Sequence, residues 1–321
     1  MATVLITGGT GMIGRALSAM LLERGYEVIV LTRDAGGKKR VPVANGGGNG
    51  LSYAVWDVQN QTIDAAAVQQ ADYIVHLAGA GVADKRWSDK RKQEIVNSRT
   101  QSSALIVKAL KEHSNKVKAV VGVSGIGWYG PDPVVPNPKP FVETDPVATD
   151  FLGNTCRLWE DSIEPVTLLG KRLVKLRTGV VLSNDGGALA EFKKPLRFGL
   201  AAILGSGSQV MSWIHIDDVC RIFLQALEDE QLHGVYNAVA PQPVSNKLLT
   251  LHLAKAMRGK FYLPVYVPSF LLKIVLGGMS IEVLKSATVS ARKIHCTGFD
   301  FAYPSIDAAL NALTCRPDGA R

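Results

Sequence analysis

The chain has little cysteine and no long apolar run. Its four cysteines, Cys156, Cys220, Cys296 and Cys315, are spread through 321 residues with no C-x-x-C pair and no histidine at zinc spacing. A disulfide framework and a structural metal site are therefore not expected, and the compartment is read as reducing. The longest apolar candidate, Val265 to Met279, is broken by Pro268 and Lys273 and falls short of the roughly 18–20 residues that cross a bilayer. No basic segment followed by an apolar one opens the chain, so the reading is a cytoplasmic protein without a membrane partner. Bases exceed acids by 36 to 28, a net charge of +8. They are scattered, with no helix-turn-helix, RRM or zinc-finger pattern beside them. Nucleic acid is not expected as a partner; the bases read as solvated surface, with some set against ligand phosphates. With 47% hydrophobic and 20% charged residues, the composition is that of a well-cored globular protein.

The strongest pattern lies in the first thirty or so positions. Thr3 to Ile6 is a β-branched apolar run and Thr7 to Gly14 is rich in glycine. Ile13, Leu17, Met20 and Leu21 then share a helical face that Gly25 is placed to end, before a second apolar run from Glu27 to Leu31. Further strands are read at Leu51–Val55, Tyr73–Leu77, Ala119–Val123, Arg172–Leu176 and Val235–Ala238. Helices are read at Thr100–His113, Asp150–Leu169 and Ile216–Leu227. Such alternation specifies an α/β fold with a doubly wound parallel sheet of the Rossmann kind. Asp34 to Gly50, holding Lys38, Lys39, Arg40 and three successive glycines, reads as a long mobile loop, and five prolines from Pro131 to Pro140 mark another. Asn246–Met257, Ser269–Leu276 and Ser305–Leu313 read as helices apart from the sheet, in a smaller, mainly helical carboxy-terminal substrate lobe. The expected division is 1–180 with 214–240 for the dinucleotide-binding domain, 181–213 with 241–313 for the lobe, and 314–321 as a tail.

Gly8, Gly11 and Gly14 stand three apart between a strand and an amphipathic helix. Each suits a residue without Cβ: one for a turn at positive φ, one for close approach of a diphosphate, one for tight helix–sheet packing. The helix start, with Thr10, Met12 and Ile13 in the turn, would offer free N–H groups and a positive dipole end to phosphates. A P-loop is excluded because no G-K-[S/T] follows. At the end of the second strand, Leu31-Thr32-Arg33 has no acid for a ribose 2′-hydroxyl and a guanidinium for a 2′-phosphate, so NADP(H) is the expected cofactor. Asp57 is placed to accept from the adenine amino group or to cap its own turn.

These residues resemble the extended short-chain dehydrogenase/reductase superfamily of NAD(P)-dependent epimerases and dehydratases. The resemblance rests on Thr7 to Gly14, His76-Leu-Ala-Gly79, Val123-Ser124 with Tyr129-Gly130, and Trp213 to Asp218. Ala83 to Trp87, Asn97-Ser-Arg99, Trp159-Glu160, Leu176 to Leu182, Gly234 to Asn237 and Gly298 to Phe301 narrow it to the atypical "epimerase family protein" branch. The resemblance implies a cleft between the two parts that takes a small-molecule substrate. Leu77, Ala78, Gly79 and Ser124 would line the cofactor, and Arg177 would lie near the nicotinamide end or form a structural ion pair. Relatives often dimerise through a helix pair, so a homodimer is an expectation. The superfamily's Tyr-x-x-x-Lys pair is missing: its places fall on Leu152 and Cys156, or on Phe151 and Thr155 one residue earlier. Ser124 and Tyr129 become the catalytic candidates, with Lys85 and His215 as further acid/base groups, although Tyr129 also reads as structural and His215 as part of a helix cap. Lys85, Trp87, Trp128, Trp213 and His215 are the expected substrate-side residues. The expected activity is that of an NADP(H)-dependent oxidoreductase or epimerase-like enzyme; the alternative is an NADP(H)-binding sensor or scaffold with little chemistry of its own.

Overall fold

The structure, a computed structural model, describes residues 1–34, 41–42 and 50–315. Most of the loop expected from Asp34 to Gly50, and the tail beyond 315, lie outside the described residues.

In chain order the cofactor side comprises β1 (Thr3–Thr7), α1 (Met12–Glu23), β2 (Glu27–Thr32), β3 (Val41–Pro42), β4 (Gly50–Asp57), β5 (Thr62–Ile63) and α2 (Ala65–Gln70). There follow β6 (Tyr73–His76), α3 (Asp89–Glu112), β7 (Ala119–Gly125), α4 (Phe151–Ile163) and β8 (Arg172–Thr178). The chain continues through β9 (Val180–Leu182), α5 (Ala188–Leu196), β10 (Leu200–Leu204), β11 (Val210–Met211), β12 (Trp213–His215), α6 (Ile216–Glu228) and β13 (Gly234–Ala238). It ends with β14 (Val244–Ser245), α7 (Asn246–Arg258), β15 (Leu263–Val267), α8 (Ser269–Leu276), α9 (Ser280–Leu284), α10 (Arg292–His295) and α11 (Ile306–Thr314).

The large sheet runs β13-β8-β7-β6-β1-β2-β4-β3, with β5 paired to β4 off that path. Its pairings are parallel except those of β3 and β5 with β4. From β1 the chain steps outward to β2 and β4, then returns to β6 on the other side and steps away through β7, β8 and β13. The direction of winding therefore reverses between β1 and β6, and the loops leaving these two strands meet at their carboxyl ends. Open α/β sheets take their ligands at such a reversal.

Both faces of the sheet are covered. All five residues of β1 are buried. Val4 and Ile6 join a core with Leu17 and Leu21 of α1 and Phe223 of α6. Leu5 points the other way, into Leu105 and Ile106 of α3 and Val68 of α2. A strand buried on both faces loses polar alternation, which is why β1 reads as a continuous apolar run. A third core gathers Leu182, Leu189, Trp213, Leu249, Leu253 and Leu310 beyond the sheet.

Helix α4 ends at Ile163, short of the expected Leu169, and two further departures from the sequence reading are larger. Helix α3 begins at Asp89, eleven residues before the expected Thr100, with Ser88 accepting from Arg91 N as its cap. In these first eleven residues the buried positions are Arg91, Ile95 and Arg99, so two of the three are arginines that an apolar periodicity does not count. The carboxy-terminal region is mostly helical but also holds three two-stranded sheets, β10–β15, β11–β14 and β12–β9. The proline-rich stretch after β7 is pinned through Asp132, which accepts from Ser286 Oγ at 2.7 Å, Thr288 N at 3.0 Å and Thr288 Oγ1 at 2.7 Å.

Candidate active site

The glycine turn leaves β1 and enters α1 across the winding reversal. Gly8 has φ +68°, and a Cβ there would lie 2.9 Å from the carbonyl carbon and oxygen of Leu77, so the loops after β1 and β6 touch backbone to backbone. A Cβ on Gly14 would lie 2.4 Å from Gly8 O and 2.5 Å from Gly9 Cα. Gly11 is the exposed N-cap of α1; no side chain caps the helix and no acid stands in its first turn. The first-turn N–H groups lack intrahelical partners, and the helix presents its positive end to an open surface. Thr10 is exposed and Met12 and Ile13 are half-buried around it. A diphosphate fits this cradle: every large group that would keep it from the backbone is missing. Arg33 follows β2 directly and is exposed. Asp57 turns out to serve its own turn, accepting from Gln59 N, Asn60 N and Asn60 Nδ2 at 2.8, 3.1 and 2.7 Å. The bonds from Asn60 hold its carboxyl below the usual range, and of its two expected roles the structure shows the local one.

A buried lock sets the second loop. Thr7 Oγ1 accepts from Leu77 N and Ala78 N, both at 3.1 Å, and lies 2.8 Å from His76 Nδ1. With two donors pointing at the hydroxyl, its own proton goes to Nδ1, which makes His76 neutral with Nε2–H toward Ser103 Oγ at 3.1 Å. Burial pulls the His76 pKa down to about 4. The lock holds Leu77 to Gly79 against Gly8. It also gives acid sensitivity a sign. The unfolded chain takes up the proton near its ordinary pKa of about 6.5, the folded chain only near 4, so stability present above pH 6.5 is lost as pH falls toward 4. Urea titrations at pH 7.5 and pH 5 should differ by about 2 kcal/mol from this residue, and His76→Gln should remove that part of the difference.

Ser124, Tyr129 and Arg177 are brought together, but inside the protein. Arg177 Nε and Nη2 donate to Glu160 Oε1 and Oε2 at 2.8 and 3.0 Å, and Nη1 donates to Tyr129 Oη at 3.2 Å and Glu143 O at 3.1 Å. Ser124 Oγ donates to Glu160 Oε1 at 2.9 Å, and Tyr129 Oη donates to Asn237 Oδ1 at 2.7 Å. The Arg177 guanidinium lies 3.6 Å from the centre of the Trp128 ring. Tyr129 is 0% exposed, Ser124 2% and Arg177 2%. Burial pushes the Tyr129 phenol up to about 12. A phenol and a hydroxyl so enclosed and so fully bonded tie together β7, β8, β13 and α4, and neither polar atom is turned toward the surface where a substrate would exchange protons with it. Arg177 forms the ion pair that is one of its two expected roles. Glu160 and Asn237, which complete the network, were legible only as fragments of the Trp159-Glu160 and Gly234-to-Asn237 motifs.

Residues 4–151 match the NAD dependent epimerase/dehydratase family, and residues 267–313 match a domain of unknown function, DUF1731. An epimerase family protein of Staphylococcus saprophyticus is 34% identical over 96% of this chain and 98% of its own. The chain belongs to the NAD-dependent epimerase/dehydratase family. The human epimerase family protein SDR39U1 (isoform 2), solved with NADPH, is similar at 31% identity, with a TM-score of 0.83 over 97% of this chain and 99% of the human one. UDP-glucose 4-epimerase of Thermus thermophilus, at 22% identity and a TM-score of 0.74 over 97% of both chains, shares the fold.

In this epimerase-family chain, α4 carries neither tyrosine nor lysine. Cys156 Sγ donates to Gly125 O at 3.5 Å and Leu152 lies against Gly127, so this one of the two expected placements faces the end of β7. Burial pushes the Cys156 thiol up to about 11, which leaves it protonated and inert. At the amino end of α4, Trp87 meets Phe151 edge to face with ring centres 4.9 Å apart, and Lys92 lies 5.5 Å from the Phe151 ring centre. A cavity of about 390 Å³ opens there, lined by Val147 to Phe151, Asn154 and Arg157. Lys85 is exposed on the loop before Trp87. Trp128 is half-buried, with Nε1 donating to Asp145 O at 3.0 Å. Trp213 does not line a cleft: it is 0% exposed, in the third core, with Nε1 donating to Gln242 O at 2.9 Å. His215 is the N-cap of α6, accepting from Asp217 N through Nδ1 at 3.1 Å and stacked on Tyr303; burial lowers its pKa. Both of these expected substrate-side residues are buried, one in packing and the other as a helix cap.

Proposed function

We propose that this chain is an NADP(H)-binding oxidoreductase or epimerase-like enzyme, acting on a small carbonyl or hydroxyl substrate without the Tyr-x-x-x-Lys pair. The observation that carries the reading is the uncapped start of α1, cradled by Gly8, Gly11 and Gly14 at the winding reversal, with Arg33 exposed at the end of the neighbouring strand. NADPH in the human relative supports it. In this reading residues 1–180 and 214–240 hold the cofactor, and 181–213 with 241–313 form the substrate side. The two approach each other where a Cβ on Gly187 would lie 3.4 Å from Met12 Cε. The proton comes from outside the buried network, and Lys85 is the one acid/base candidate of the sequence that is exposed. A cytoplasmic location and a homodimer belong to the same proposal.

Binding is tested first, by NADPH fluorescence titration. Arg33→Asp, which sets a carboxylate against the 2′-phosphate, should weaken NADPH binding by at least about tenfold and leave NADH nearly untouched. Equal NADPH affinity in that variant rejects the phosphate selectivity. Hydride transfer is then followed at 340 nm against carbonyl and sugar-nucleotide panels. A second reading, an NADP(H) sensor with little chemistry, is favoured by the commitment of both Ser124 and Tyr129 hydroxyls to buried partners. Tight NADPH binding with no turnover across the panels would select it.

A further inference from the structure

Arg99 is a buried cation without a carboxylate. It is 8% exposed, and its protein hydrogen bonds, both from Nη1, reach only the carbonyls of Ala80 at 3.0 Å and Ile95 at 2.9 Å. The one carboxylate that acts on it by charge, Asp84, is paired with Arg91 at 3.5 Å. Among the described residues, Nε and Nη2 donate to no protein acceptor, and neither is among the atoms wholly sealed from solvent. The guanidinium rests on the Trp159 ring at 4.7 Å. Burial pulls its pKa to about 10, so it stays charged at neutral pH.

Its position explains what such a charge could do. A Cβ on Gly79 would lie 3.1 Å from Arg99 Cζ, so the guanidinium sits directly behind the loop that leaves β6. Beside it are also Arg91, Asp84 and Cys156, the last bonded to Gly125 at the end of β7. Arg99 thus lies between the carboxyl ends of β6 and β7, across β1 from Arg33 at the end of β2. A dinucleotide whose diphosphate sits on the β1 turn and whose 2′-phosphate reaches Arg33 must lay its nicotinamide half toward β6 and β7.

We propose that Arg99 is a specificity-determining residue that makes the cleft favour the reduced, neutral dihydronicotinamide of NADPH over the pyridinium cation of NADP⁺. The inference rests on the cofactor reading above. A fixed positive charge held where little water screens it repels a second one, while the neutral ring is indifferent to it. Gly79 permits this close approach, since a Cβ there would lie 3.1 Å from Arg99 Cζ.

The test is the ratio of the two dissociation constants, measured by calorimetry with NADPH and with NADP⁺. In the wild type, NADPH should bind about tenfold more tightly. Arg99→Met should bring the ratio close to one, and Arg99→Lys, which keeps the charge, should preserve most of it. Loss of the Ala80 hydrogen bond weakens both forms alike and leaves the ratio unchanged, so a purely structural role predicts no change in it. Arg99→Gln keeps a donor for Ala80 and replaces the methionine variant if that one does not fold. Equal affinities in the wild type overturn the inference whatever the variants do, as does a wild-type ratio in the uncharged variants. Failure of the wild type to bind either form rejects the cofactor reading itself, a different and recognisable result.

Discussion

Gly14→Ala is expected to weaken NADPH binding by about 100-fold, roughly 2.8 kcal/mol, and to lower unfolding free energy by about 1–3 kcal/mol. The added methyl would lie 2.4 Å from Gly8 O and 2.5 Å from Gly9 Cα, and both are backbone atoms that no rotamer change can move aside. Relief requires α1 to lift away from the turn. Gly8 cannot follow, because its own Cα already faces the Leu77 carbonyl, and Leu77 N is held by Thr7. The helix start and the loop after β6 therefore separate, and the N–H groups of the cradle lose their common focus. Gly11→Ala is the control. Its methyl meets only Gly8 O at 3.2 Å, on the exposed side of the turn, so the fold should be nearly unaffected. Binding in that variant reports how closely a phosphate approaches. Wild-type NADPH affinity in Gly14→Ala would mean that the diphosphate is held elsewhere.

Local pattern and distant partnership were unequally legible in the chain. The β1-turn-α1-β2 unit was readable because each of its parts is specified by neighbours: apolar runs for buried strands, one helical stripe, and glycines at three-residue spacing. Helix α8 was read with its observed limits, Ser269 and Leu276, for the same reason. The first eleven residues of α3 were not, since Arg91 and Arg99 are buried through hydrogen bonds to carbonyls and through stacking on Trp159, which a hydropathy pattern cannot register. The site divides along the same line. The cofactor cradle is a local motif. The fates of Ser124, Tyr129 and Trp213 depended on Glu160, Asn237 and Gln242, which lie 36, 108 and 29 positions away. A residue type that can do chemistry is visible in one dimension; whether its polar atom is already spent is not.

That commitment has a measurable cost. Glu160→Leu is expected to destabilise the protein by about 3–5 kcal/mol in urea unfolding, because it strands the Arg177 guanidinium, 2% exposed, without a counter-charge. What remains to it is Tyr129 Oη, the Glu143 carbonyl and the Trp128 ring, none of them anionic. Arg177→Met strands Glu160 in turn, leaving Ser124 Oγ as a close donor and Lys175 Nζ at 4.0 Å. The double variant removes both charges and should lose less than the sum of the single losses, with a coupling of about 1.5–3 kcal/mol. Tyr129→Phe deletes one hydroxyl from the same network and should cost about 1–2 kcal/mol while NADPH affinity holds. The reading of Ser124 as a strut stands or falls with this cycle. Were Glu160→Leu nearly neutral, the carboxylate would not be what anchors β7 to β8 and α4. The Ser124 hydroxyl would then be free to serve a substrate, and the catalytic role expected of it would gain support.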